Sequence, residues 1–97
     1  MSSRPSRIKQ TMVGTARAVI RAKAERDRAQ NEYKRYAADP EAFAEVAVEN
    51  RMQAALSAQA ALEAAEAEQD RLAKLKADRS RVVQRLRRER QSIEQDL

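Results

Sequence analysis

The sequence predicts an all-α protein, an antiparallel and coiled-coil-like helical hairpin with a long second helix that either projects or folds back as a third helix. Three observations carry this. Apolar residues from Ile8 to Tyr36 recur at alternating spacings of three and four, the heptad signature of a helix packed along one side. No glycine follows Gly14, and Pro40 is the only proline after Pro5. Between the two helical stretches sits Ala38-Asp39-Pro40-Glu41, which both stops and restarts a helix.

The lead, residues 1–5, is read as flexible. Helix 1 is predicted over 6–38, with Ser6 as N-cap. Its seam runs Ile8, Met12, Thr15, Val19, Ala22, Arg26, Ala29, Tyr33 and Tyr36, with Ala16 and Ile20 widening the stripe. A guanidinium on such a seam is costly unless paired, so Arg26 is expected to turn outward or meet a carboxylate of the partner helix. Gly14 and Ala18 form a small-xxx-small pair. It admits either a close helix crossing or simply a tolerated glycine, and the second reading is preferred.

At the turn, Asp39 suits an N-cap, Pro40 the first helical position, and Glu41 the positive end of a helix dipole. Helix 1 should therefore stop near Ala37 or Ala38, and helix 2 should begin at Pro40. A connection this short favours antiparallel packing. Tyr33, Tyr36 and Phe43, the only aromatic residues, flank the turn and are expected to plug it.

Helix 2, taken as 39–97, would be on the order of 85 Å long, about twice helix 1. Its first half is alanine-rich and buries little area per residue. A cleaner seam follows at Leu72, Leu75, Arg79, Val82, Leu86, Glu89 and Ile93. Either the helix runs unbroken and this part projects, or it breaks near 76–80 and folds back; the lack of glycine and proline favours the unbroken rod. The seams exceed what one hairpin can bury, so self-association or docking in a larger assembly is expected.

Charge is segregated. Residues 1–28 carry eight Lys or Arg against Glu25 and Asp27, and residues 29–70 three against nine acidic residues. The basic segment 71–90 carries nine against Asp78 and Glu89. Arg7, Arg17, Arg21 and Arg28 share one row of helix 1, continued by Arg35. Arg71, Lys74, Arg81, Arg85 and Arg88 share one row of the last segment. Arginine suits bidentate contact with phosphate or carboxylate, so these rows are the candidate surface for an anionic partner.

The composition excludes several functions. The 97 residues include no cysteine and no histidine, so disulfides, thiolate zinc sites and imidazole catalysis are unavailable. Phosphate-binding loops, dinucleotide fingerprints and nucleophile elbows are absent. Acidic pairs such as Glu45 and Glu49 read as a solvated face. No cofactor, metal or small-molecule substrate is expected. No apolar run approaches a membrane span and no secretion signal is visible, which fits an intracellular protein or one inside a virion. A basic amphipathic stretch at 7–23 could meet a membrane surface, but its side chains are small. No tryptophan is present, so the Trp-x-Gly turn of small secreted helical hairpins is missing.

The expected function is a non-enzymatic helical scaffold or adaptor, of the short motif-free kind found in phages and plasmids. It would self-associate or dock through its seams and arginine-rich faces. The alternatives are a sequence-nonspecific DNA- or RNA-binding protein and a small inhibitor of a nucleic-acid-processing enzyme.

Overall fold

The structure, a computed structural model, describes residues 7–96, with side-chain surroundings from Thr11 to Asp96. The Ser6 cap, the lead 1–5, Leu97 and the side chains of Arg7 and Ile8 lie outside the described residues. Two helices make up the described chain: α1, Arg7–Ala37, and α2, Glu45–Asp96. They pack as an extended hairpin, and no strand occurs among the described residues.

The molecule is a rod of 84 × 29 × 14 Å with a radius of gyration of 23.1 Å, against about 13 Å for a globule of this length. The 52 residues of α2 run without a break, so the projecting form of helix 2 is the one adopted. Nothing at 76–80 interrupts the helix. Asp78 pairs with Arg81 at 3.5 Å within the same helix.

The α1 seam faces α2 along its described length. Met12, Thr15, Val19, Ala22, Arg26, Ala29, Tyr33 and Tyr36 are all half-buried. The Thr15 hydroxyl donates to the Thr11 and Met12 carbonyls at 3.1 and 2.9 Å, so it enters the seam already satisfied. Across the interface, Val48, Met52, Ala55, Ala58, Leu62, Ala65, Gln69 and Leu72 line α2. Among the described residues only Leu62 and Leu72, at 3% and 6% exposure, are fully covered. The core is a single thin row, as an alanine-rich partner dictates.

One expectation for α1 needs correcting. Ile20 does not widen the seam; it is 70% exposed, while Ala16, one turn earlier on the same flank and nearer the seam, is half-buried. Two helices in one layer cover a narrower stripe than a bundle does. Arg26 turns outward, one of the two outcomes expected for it, and pairs with an exposed carboxylate of its own helix: its Nη2 and Nε lie 2.8 and 3.0 Å from Asp27 Oδ1. At Gly14 an added Cβ would meet nothing within 4 Å, so no close helix crossing depends on it.

The start of α2 also differs from expectation. It begins at Glu45, not Pro40. Asp39 does act as a cap, but of one isolated turn: the Ala42 N–H is 3.2 Å from both the Asp39 carbonyl and its carboxylate. The Ala44 carbonyl opens the helix instead, accepting from Ala47 and Val48 at 2.9 and 3.1 Å. Glu45, rather than Glu41, then stands in the first turn against the helix dipole. The physical reason is Phe43. Its ring stacks on Tyr36 at 4.0 Å between centroids and 21° between planes, and the chain leaves helical geometry at Phe43 and Ala44 in doing so. The expected stop of α1 at Ala37 stands, with the Ala38 N–H reaching the Lys34 carbonyl at 3.0 Å.

Candidate interaction surfaces

Near the turn, Tyr36 organises a polar cluster that ties the two helices together. Arg51 Nη2 donates to the Tyr36 hydroxyl at 3.3 Å, and its guanidinium carbon lies 4.8 Å from the ring centroid. Arg51 Nε is 3.2 Å from Glu32 Oε1, but its N–H does not point at that oxygen, so the contact is an ion pair without a hydrogen bond. Donation from Arg51 holds the Tyr36 phenol below its usual range and raises the guanidinium in turn. Tyr36 and Phe43 close the turn as expected, with Arg51 added to them, whereas Tyr33 lines the groove beside them. Arg51 itself carries no seam signal in the sequence, because it stands among the polar residues Glu49, Asn50 and Gln53 at a position that reads as surface. An open groove of about 640 Å³ lies beside this cluster, lined by Tyr33, Pro40, Phe43, Val48 and Met52, with Glu45 and Glu49 also on its wall.

The Glu32 and Tyr36 contacts with Arg51 fix the antiparallel register. Carried back at heptad spacing, it sets Val19 level with Ala65 and Met12 level with Leu72. The helix α1 therefore ends its cover of α2 close to residue 77. Beyond that point no described residue of α1 lies against α2, and every residue from 73 to 96 is exposed. Leu75, Val82, Leu86 and Ile93, the predicted seam, are 44–63% exposed, whereas Leu72 at its head is packed under α1. Val83, not singled out from the sequence, adds to this uncovered face at 39%. The spacing also changes at Leu72. Covered positions run 65, 69, 72, and the next apolar one is 75, giving two successive steps of three. That irregularity turns the distal seam by roughly 50° around the helix from the face that meets α1.

The arginine rows follow one another along the rod instead of lying side by side. Arg17 is level with Ala67 and Arg28 with Leu56, while Arg81, Arg85 and Arg88 lie beyond the start of α1. Arg17, Arg21 and Arg28 are exposed and make no ion pair among the described residues. Lys74, Arg85 and Arg88 are equally free, but Arg71 and Arg81 are not. Arg71 grips Glu68 with two hydrogen bonds, at 2.6 and 2.9 Å, which pull that carboxyl below its usual range. Arg90 is taken by Glu94 at 3.2 Å.

Among the described residues, no group of three acidic side chains is placed to hold a metal ion, and no helix is long and apolar enough to cross a membrane. No protein-family model, curated protein or solved structure matches the chain.

Proposed function

We propose that this chain is a non-enzymatic helical scaffold or adaptor that docks through the uncovered part of α2. The hairpin body serves as a base, and the segment beyond residue 77 is the working surface. One observation carries the reading: an apolar stripe, Leu75, Val82, Leu86 and Ile93, remains open to solvent on a stretch of helix that no other described element covers. Exposed apolar residues scattered singly are ordinary, but a stripe in register over nearly three heptads marks an interface. The absence of histidine and cysteine supports a binding role over chemistry.

A photoreactive residue in place of Leu86, introduced in cells of the source organism, tests this. Adducts with protein are expected at Leu86 and not at an exposed position off the seam such as Ser80. Recovery of no adduct at Leu86 ends the reading.

A second reading, contact with a nucleic-acid backbone, is favoured by the unpaired Arg17, Arg21, Arg28, Arg85 and Arg88. It requires affinity for DNA or RNA that falls steeply as salt rises, because each neutralised phosphate releases counterions. Binding that is absent at low salt removes it.

A further inference from the structure

The uncovered seam of α2 contains two charged residues, Arg79 and Glu89, and neither has an ion-pair partner among the described residues. A lone charge in an apolar seam usually sets register or partner choice at a cost in stability. Here the two charges have opposite sign and stand symmetrically about Gln84. In an antiparallel two-stranded coil, each layer joins an a position of one helix to a d position of the other. Laid against itself about a two-fold axis near Gln84, the segment brings Leu75 to Ile93, Arg79 to Glu89 and Val82 to Leu86, and then repeats the layers in reverse. Every apolar seam residue meets an apolar one, and each seam charge meets its opposite. A parallel pair would set Arg79 on Arg79 and Glu89 on Glu89, which costs energy at both layers.

We propose that a second copy of this chain covers residues 75–93 of α2 in the antiparallel sense, forming a two-fold dimer whose seam is locked by two Arg79–Glu89 pairs. The proposal names the partner of the docking surface and so rests on the scaffold reading. Leu72 is already occupied by α1 and closes the paired region, and the change of spacing after Leu72 sets the paired face to one side of the face that meets α1. Val83 meets its own copy near the axis and adds apolar area. The flanks oppose the dimer: Lys76 falls near Arg90 of the other copy, and Arg85 near Arg85. Salt screens that exposed repulsion, so the dimer tightens as salt rises. Docking on nucleic acid has the reverse dependence.

Sedimentation equilibrium of the full chain without nucleic acid tests the pairing. The mass is expected to rise from 11.0 kDa toward twice that value with concentration, and more steeply at high salt. Arg79→Glu should weaken the dimer about tenfold or more, and adding Glu89→Arg should restore it, with helical content unchanged throughout. Mixed Leu75→Cys and Ile93→Cys chains should form the mixed disulfide ahead of either symmetric one, a clean readout because the native chain has no cysteine. A chain that stays monomeric into the millimolar range overturns the proposal, as does a dimer indifferent to Arg79→Glu. A monomer whose Leu86 photoadduct is a different protein overturns the pairing while leaving the docking role in place. A monomer that associates only with DNA or RNA, and less so with salt, overturns it in favour of the nucleic-acid reading.

Discussion

Tyr36 is the residue on which the hairpin closes. It receives Phe43 from the turn and Arg51 from α2, so a single side chain reads both the loop and the register. Its phenol is held below the ordinary value near 10 by the Arg51 hydrogen bond. The folded protein therefore gives up this proton more readily than the unfolded chain, and stability rises as the pH climbs from the folded value to the unfolded one, then levels off. At neutral pH the linkage contributes nothing. An ultraviolet titration in a Tyr33→Phe background should show Tyr36 ionising early, and Arg51→Gln should return it toward the ordinary range. Gly14 offers a contrasting test. With open space around it inside a helix, Gly14→Ala should stabilise the protein by up to about 1 kcal/mol, seen as a higher melting temperature.

Each helix shows how far periodicity can be trusted. The α1 seam was legible from Met12 to Tyr36 because heptad spacing alone defines which side meets a partner. The width of the covered stripe was not legible, since it depends on how many helices surround α1, and Ile20 was misplaced for that reason. The start of α2 was misread because Asp39-Pro40-Glu41 satisfies every local rule for a helix start, and only the distant stack of Phe43 on Tyr36 overrides it. Arg51 was invisible for a related reason: its partners Glu32 and Tyr36 are brought to it by tertiary packing. Within α2, Leu62→Ala should cost about 2–3 kcal/mol by chemical denaturation, whereas Leu56→Ala, on the exposed side, should stay within about 0.5 kcal/mol. The Glu68–Arg71 pair adds an acid-sensitive contribution. Because the folded carboxyl titrates low, that contribution is present above the ordinary glutamate value of about 4.3 and disappears as the pH falls through the folded one. Circular dichroism at low salt should show Glu68→Gln losing less helix on acidification than the parent chain, and the difference should shrink at high salt.

For the molecule as a whole, the imbalance between a 31-residue and a 52-residue helix sets the behaviour. A lone helix in water is held by little besides its own backbone, so amides beyond residue 77 should exchange with solvent faster than those from Val48 to Leu72 in an isolated chain. Hydrogen exchange would then report occupancy directly, as protection appearing in the distal segment and nowhere else. Removal of residues 77–97 should leave the hairpin's melting temperature within a few degrees of the parent, because its covered row ends at Leu72. The continuity of α2 has one more implication. If two chains join about Gln84, the stretch from one Glu45 to the other is some 78 residues of stiff helix, about 120 Å at 1.5 Å per residue. The paired molecule would be a strut of set gauge, holding two aromatic-walled grooves apart by a distance written into residue count alone.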